Sequence, residues 1–190
     1  MQIAIGLFPG FTSLDGVGPY QVFSYLPGAD VLVCAARSGF LADEHGLLHF
    51  DVAATFDDVP APDVVVIPGG QITHRMVRDG DPIIEWIRNV HAQTTYTTSV
   101  CTGALLLGPT AAGVSAGIDL ALTLVARMAG QATAQAIQLG IEYDPQPPFD
   151  AGAPSKAPAD IRDLVRAMLD NSREAVLSTT GTAPNGTRNP

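Results

Sequence analysis

The stretch PAPDVVVIPGG, residues 60–70, decides the fold class of this chain. Its run Val64–Ile67 is wholly apolar and stops at Pro68-Gly69-Gly70, which is a turn signal. A strand with one wet face alternates polar and apolar residues, whereas a parallel strand that helices cover on both faces is apolar throughout. The stretch therefore predicts a central strand of a parallel sheet.

Similar runs lie on either side of this strand, and helical patterns separate them. GFTSLDGVGPYQVFSYL (10–26), with Pro19 in its first turn, and the amphipathic DPIIEWIRNVHAQ (81–93) are the predicted helices. The alternation predicts an α/β fold, a doubly wound and mostly parallel sheet with helices on both faces, like the flavodoxin sandwich. The other predicted strands are Gln2–Leu7, Asp30–Ala35 and TTYTTSV (94–100), with a hairpin or edge strand around 47–52.

The second half of the chain is mainly helical. A proline-rich linker, DPQPPFDAGAPSKAP (144–158), follows the apolar helices, and STTGTAPNGTRNP (178–190) has no apolar content to bury. We therefore predict an α/β domain over 1–155, a C-terminal helix over 156–177 and a disordered tail over 178–190. The predicted helices are TGALLLG (102–108), Ala116–Ala129, a segment ending near Tyr143, and Ala159–Val176.

Composition excludes several partners. The net charge of −9 and the pI near 4.6 repel phosphate backbones and anionic lipid surfaces, so nucleic acid and membrane surfaces are not expected partners. The longest apolar region, about 100–129, is broken by glycines, Asp119 and Arg127, which rules out a membrane span. The start lacks the pattern of a signal peptide. Two widely separated cysteines fit free thiols in a reducing cytoplasm.

Three chemically interesting features follow predicted strands. Asp15 comes after the first strand, Gly69-Gly70 after the strand at 64–67, and Cys101 directly after TTYTTSV. Ligands of open parallel sheets bind beyond the carboxyl ends of the strands. The sequence therefore predicts one site that contains all three features.

Cys101 stands where a strand turns into a helix. The free N–H groups and positive dipole end of that helix would stabilise a thiolate, and Gly103 would relieve crowding in the turn. The alternative is that Cys101 is a small buried apolar residue, the common fate of a free cysteine. Local sequence leaves these two readings even. Cys34, inside DVLVCA, is expected to pack in the core.

The neighbouring features also have two readings each. Asp15 is either a helix cap or a carboxyl whose pKa a nearby thiolate and burial would raise, so that it could carry a proton. Gly69 and Gly70 either form a plain tight turn or let backbone N–H groups reach a substrate. The four histidines show no metal-ligand spacing, so we expect no metal. His74, near the glycine pair, is the one closest to the predicted site.

Several motifs together resemble the ThiJ/PfpI superfamily, whose sheet is like that of class I glutamine amidotransferases. Within it, the cysteine followed by threonine and the late motifs resemble isonitrile hydratase-like proteins, over most of residues 1–155. The motifs are FPGFTSLDGVGPYQVF (8–23), DVVVIPGG (63–70), TTSVCTGALLLG (97–108), AGVSAGIDLALTLVA (112–126) and QAIQLGIEYDPQPPFDAGAP (135–154).

This resemblance implies hydration of a small isonitrile to an N-substituted formamide, without cofactor, by a homodimer. Cys101 would attack the terminal carbon, Asp15 would donate a proton and then activate water, and Thr102 would hydrogen-bond within the site. The N–H groups around Gly70 and Thr102 would steady developing charge. Peptidase relatives have histidine after the cysteine, so Thr102 argues against a Cys–His protease.

One departure from the family concerns the sheet. Further strands and a connecting helix normally separate the nucleophile helix from the TAAGVSAGID segment (110–119), which here follows almost at once. We expect an internal deletion that shortens the sheet and exposes its edge, unless a neighbouring chain covers it. The proposed chemical residues all precede the deletion.

Three functions remain open from sequence. The hydratase is placed first. A ligand-binding or redox-sensing module of the kind found in AraC-type regulators is second, although no basic helix-turn-helix follows residue 155. The third is a degenerate, inactive family member. Whether the chain is an enzyme is therefore undecided at this level.

Overall fold

The computed structural model describes residues 1–107 and 116–178. Seven strands form in the described residues, and four of them, the first, second, sixth and seventh in chain order, match the apolar or β-branched runs expected from sequence. They are β1 (Gln2–Gly6), β2 (Asp30–Ala35), β3 (Gly39–Ala42), β4 (His49–Val52), β5 (Ala54–Thr55), β6 (Val64–Ile67) and β7 (Tyr96–Ser99).

Helices connect and cover these strands. A short 3₁₀ turn over Cys101–Gly103 precedes the fourth helix, and α2 was not predicted from sequence. The helices of the described ranges are α1 (Ser13–Phe23), α2 (Thr73–Asp79), α3 (Pro82–His91), α4 (Ala104–Leu107), α5 (Ala116–Ala129), α6 (Gln131–Gly140) and α7 (Ala159–Ser178). None of them is long and apolar enough to cross a lipid bilayer.

The central sheet has five parallel strands in the order β5-β2-β1-β6-β7. β1 lies in the middle, with Ile5 opposite Val33 of β2 and Val66 of β6. All four residues of β6 are buried, as its unbroken apolar run requires. The predicted α/β class with a mostly parallel sheet is confirmed.

Helices cover both faces of this sheet. Gly6 and Leu7 point to opposite faces, and a Cβ at Gly6 would lie 2.8 Å from the ring of Trp86 on α3. Leu7 instead lies on the side of α1, next to Gly16. The Trp86 ring stacks on Phe56 with centroids 4.7 Å apart, so α3 is fixed tightly to its face.

The β3–β4 hairpin forms a separate two-stranded antiparallel sheet. It accounts for the hairpin or edge strand expected around 47–52. The hairpin contacts the loop after β1, because the Gly10 N–H donates to the Ala42 carbonyl over 2.9 Å. Through this bond the hairpin reaches the segment that leads into α1.

α1 packs closely on α5 through small residues. A Cβ at Gly18 would be 3.2 Å from Ile118, and one at Gly117 would be 3.4 Å from Pro19. The expectation that Pro19 lies in the first helical turn is wrong, since α1 begins at Ser13 and Pro19 is inside it. Its ring lies against Gly117 of α5, which leaves room for a proline at this interior position.

In the described residues, β7 pairs with β6 and is the last strand of the sheet on that side. The segment where we place the internal deletion begins with residues 108–115, which lie outside the described part of the chain. The predicted disordered tail also lies outside it beyond Ser178. A shortened sheet therefore stays a prediction.

The chain divides into two compact units, Met1–Tyr143 and Asp144–Pro190. In the second unit, Arg162 of α7 donates to the carbonyls of Pro154 and Ala157, at 3.2 and 2.9 Å, and so ties the helix to the preceding segment. The predicted helix over 156–177 corresponds to α7, and the domain limit at 155 stays a prediction.

We predict that Ile5→Ala lowers the free energy of unfolding by about 2–5 kcal/mol. Ile5 is fully buried in the middle strand, so truncation leaves a cavity that the sheet cannot close. Urea unfolding followed by the fluorescence of Trp86, the only tryptophan, measures the change. The matched control Leu139→Ala, at a site 79% exposed, should stay within about 0.5 kcal/mol of the unsubstituted chain. Equal losses in both variants would contradict the assignment of the core.

Candidate active site

Cys101 lies in the turn that joins β7 to the helix that follows. Its φ of 53° places it in the left-handed region, which a residue with a side chain adopts at a cost of about 1 kcal/mol or more. The sharp turn leaves the residue half-buried while Val100 before it is fully buried. Nucleophile turns of α/β enzymes present a reactive side chain in the same way.

Gly103 makes this turn possible. A Cβ at residue 103 would collide with the carbonyl oxygen of Ile67 and would lie 2.6 Å from that of Pro68. Without a side chain, the Cys101–Gly103 turn can therefore lie directly on the end of β6. The predicted role of Gly103 in relieving crowding matches this geometry.

Asp15 is on the first turn of α1 and is fully buried. Its Oδ2 accepts a hydrogen bond of 2.9 Å from the Gly69 N–H. Its Oδ1 is buried and has no hydrogen-bond partner among the described residues. A carboxyl with one unsatisfied buried oxygen is suited to holding a proton or receiving one.

The pKa of Asp15 is raised to about 6. Burial is the main cause, because it disfavours the charged form, and the negative charge of Glu44 adds to it. The Gly69 N–H acts in the opposite direction, as does a weak contact with the Cys101 thiol. Asp15 therefore changes its protonation state near neutral pH, in agreement with the direction expected from sequence.

The expectation of a stabilised Cys101 thiolate is not met. The Thr102 N–H favours the thiolate, as a helix start should, but burial and the nearby charge of Asp15 outweigh it. The pKa of Cys101 is raised above its ordinary value of 9.0. The pair therefore holds one proton at neutral pH, and that proton is on sulfur while Asp15 is ionised.

Thr102 connects the cysteine turn to the glycine pair. Its Oγ1 accepts from the Gly70 N–H and donates to the Gly70 carbonyl, each over 3.0 Å. A Cβ at Gly69 would lie 2.8 Å from both Thr102 Oγ1 and Asp15 Oδ2. The five predicted site residues thus meet at the carboxyl edge of the sheet.

The glycine N–H groups have partners in this arrangement. Gly69 donates to Asp15 and Gly70 donates to Thr102, so both amides position side chains of the site. Their assignment as substrate-binding donors stays a prediction, because a substrate would have to displace one of these bonds.

Other candidates from sequence lie away from the site. Cys34 is fully buried in β2, and burial raises its pKa to about 12, which fits core packing. His74 is exposed on α2, and the other three histidines are exposed as well. Within residues 1–107 and 116–178, no three His, Cys, Asp or Glu side chains are close enough together to hold a metal ion.

Sequence reasoning missed one residue near the site, Glu44. It lies in the loop between β3 and β4, and its Oε2 accepts a bond of 2.8 Å from the Ser13 N–H at the start of α1. Its partner is 31 residues away in the chain, so no local pattern could have indicated the contact.

The fold and the site define a parallel α/β protein with a thiol and a buried carboxyl at the carboxyl edge of its sheet. Residues 1–126 match the DJ-1/PfpI family, and this chain belongs to that family. An isonitrile hydratase of Pseudomonas putida is 34% identical over 204 residues, which cover 87% of this chain and 89% of the relative. Since that alignment is longer than the 190-residue chain, the relative has residues without a counterpart here.

Solved structures agree with this family. A ThiJ/PfpI family protein from Pseudomonas syringae has a TM-score of 0.81 and 29% identity, over 91% of this chain and 89% of that one. DJ-1beta of Drosophila melanogaster has a TM-score of 0.65 over 76% of this chain and 98% of that one. Its identity of 14% means that this second likeness shows the fold alone. The resemblance read from the motifs is thereby confirmed.

The raised pKa of Asp15 predicts a pH-dependent stability. An unfolded Asp titrates near 3.8 and the folded one near 6, so Asp15 lowers the free energy of unfolding progressively as pH rises from about 4 to about 7. Asp15→Asn keeps an acceptor for the Gly69 N–H and removes the titration. At pH 8 the variant should be more stable than the unsubstituted chain by on the order of 2–3 kcal/mol.

Urea unfolding at several pH values between 4.5 and about 8 measures this difference. Carboxyls that do not interact with Asp15 contribute equally to both proteins and cancel. A difference that stays constant over this range would contradict the raised pKa of Asp15.

Proposed function

We propose that this chain is a cysteine-dependent hydratase that converts a small isonitrile to an N-substituted formamide. The observation that carries the proposal is the pairing of the half-buried Cys101 thiol with the buried Asp15 carboxyl, which together hold one proton at neutral pH, on the sulfur. The 34% identity to an isonitrile hydratase over 87% of the chain supports the choice of substrate class.

The first step forms a carbon–sulfur bond. Cys101 Sγ adds to the terminal carbon of the isonitrile, and the thiol proton passes through Asp15 to that same carbon. The product is a thioimidate, in which sulfur, hydrogen and the doubly bonded nitrogen share one carbon. No group besides the thiol and the carboxyl is needed to balance this step.

The second step consumes water. The oxygen of a water molecule attacks the thioimidate carbon while the ionised Asp15 carboxylate takes one of the water protons. Asp15 then passes that proton to the nitrogen. The remaining O–H proton returns to the Asp15–Cys101 pair as the carbon–sulfur bond breaks and the formamide carbonyl forms. The net reaction adds one water molecule, and the enzyme recovers its single shared proton.

Thr102 supports this chemistry through position. Its hydroxyl is held by Gly70 on both its donor and acceptor sides, which fixes the cysteine turn against the end of β6. Its backbone N–H favours negative charge on Cys101 Sγ, the charge that develops when the thiol gives up its proton.

A homodimer and a cytoplasmic location are parts of the same proposal. The homodimer is supported by the resemblance in the sequence motifs. The location is supported by two free thiols, Cys34 and Cys101. The substrate is a small molecule.

We predict that the purified chain converts an aliphatic isonitrile to its formamide and that Cys101→Ala abolishes the conversion. The reason is that the alanine variant has no sulfur to form the thioimidate. Proton NMR of the reaction mixture detects the formyl hydrogen of the product directly. The matched control is Cys34→Ala, which removes the other thiol and should retain turnover in the folded fraction.

Two results would contradict the hydratase. One is the absence of formamide from protein that unfolds in a single cooperative transition, which would favour the sensing module. The other is equal turnover by the unsubstituted chain and Cys101→Ala, which would exclude the thiol from the mechanism.

The shared proton also predicts a pH profile. The form with one proton on the pair appears as pH rises through about 6 and disappears above the raised pKa of Cys101. kcat/KM should therefore rise through about pH 6 and fall only in the alkaline range. Asp15→Asn should lower kcat by about 10²–10⁴-fold, because it cannot relay the proton. A profile without an acidic limb would count against Asp15 as the partner of the thiol.

A further inference from the structure

The first turn of α1 is capped from outside the helix. Thr12 is at the N-cap position, but its side chain makes no capping hydrogen bond. Glu44 supplies the missing acceptor, since its Oε2 receives the Ser13 N–H over 2.8 Å. The Glu44 N–H in turn donates to the Phe11 carbonyl over 3.0 Å. The helix start and the hairpin loop are thus joined at two points.

The loop that carries Glu44 is itself well ordered by hydrogen bonds. The buried Asp43 carboxylate accepts the N–H groups of His45, Leu47 and Leu48 through one oxygen. Phe11, in the loop before α1, and Phe50 of the hairpin also pack edge to face, with ring centroids 5.0 Å apart. Glu44 is therefore held in a fixed position relative to α1.

This position sets Glu44 against the site carboxyl. Asp15 is two residues after Ser13 on the same helical turn, and the Glu44 charge raises its pKa. Among the described residues, the other titratable group that acts on Asp15 is Cys101, from the nucleophile turn. From the turn after β6, the group that contacts the Asp15 carboxyl is the uncharged Gly69 N–H. On α5, which packs against α1, the carboxyl of Asp119 interacts with Tyr143.

We propose that Glu44 is a positioning residue with two separable roles. Its hydrogen bond fixes the start of α1, and its negative charge keeps the Asp15 carboxyl able to carry a proton. The inference deepens the proposed function and rests on it for its catalytic meaning. Glu44 touches neither substrate nor sulfur in this scheme and acts through Asp15.

Two substitutions separate the roles. Glu44→Gln keeps an oxygen for the Ser13 N–H and removes the charge, whereas Glu44→Ala removes both. The titration of the Asp15 side-chain carbonyl carbon, followed by carbon-13 NMR and assigned by its loss in Asp15→Asn, measures the protonation midpoint. We expect both Glu44 variants to shift the midpoint to lower pH, and only Glu44→Ala to lower the melting temperature as well.

The matched control is Glu85→Gln, which removes one negative charge from an exposed site on α3 and should leave the midpoint in place. An unchanged midpoint in Glu44→Gln would overturn the electrostatic role. An equal shift in Glu85→Gln would overturn it too, since the effect would then follow net charge alone. An unchanged melting temperature in Glu44→Ala would overturn the capping role.

The same variants connect the inference to turnover. In Glu44→Gln the acidic limb of kcat/KM should move to lower pH together with the Asp15 midpoint. The NMR titration does not need a substrate, so it decides the role of Glu44 even if no isonitrile is hydrated. A shifted midpoint without any formamide would refute the proposed function and leave the electrostatic coupling in place.

Discussion

Two consecutive amides, those of Gly69 and Gly70, donate to the side chains of Asp15 and Thr102, and the rest of the site depends on these two bonds. They join the ends of β6, α1 and the cysteine turn, three elements that are far apart in the chain. The contacts leave no space for a Cβ at Gly69, nor at Gly103 on the other side of the turn. A side chain at either position would push the cysteine turn away from its neighbours and so move the Cys101 thiol away from the Asp15 carboxyl.

The fold was largely predictable because β6 is buried on both faces and its neighbours in the sheet are apolar or β-branched runs. The mainly apolar runs at Asp30–Ala35 and Val64–Ile67 predicted strands that begin and end at the residues where β2 and β6 do. The site was predictable in its members, since Asp15 and Cys101 each follow a strand. Its electrostatics were not, because the pKa of Cys101 depends on burial, and burial depends on how distant segments pack. The contact between Glu44 and Ser13 escaped prediction for the same reason.

The site stores unfavourable energy that the sheet must offset. Asp15 is buried with one oxygen unsatisfied, and Cys101 has a left-handed backbone. Each feature costs on the order of 1–3 kcal/mol, a notable share of the 5–15 kcal/mol by which a domain is usually stable. α1, which carries Asp15, contacts β1 and β6, and the turn that carries Cys101 lies on the end of β6, so two largely buried strands support both residues.

The β3–β4 hairpin stands outside the main sheet, and yet it presents the carboxylate that acts on Asp15. Loops of this kind vary among homologues far more readily than the elements of a core. On the role proposed for Glu44, exchanging residues around position 44 would shift the pKa of Asp15, while Cys101, its strand and its glycine turn remain as they are. The hairpin is therefore a place where the acidity of the site can be altered without replacing Asp15 or Cys101.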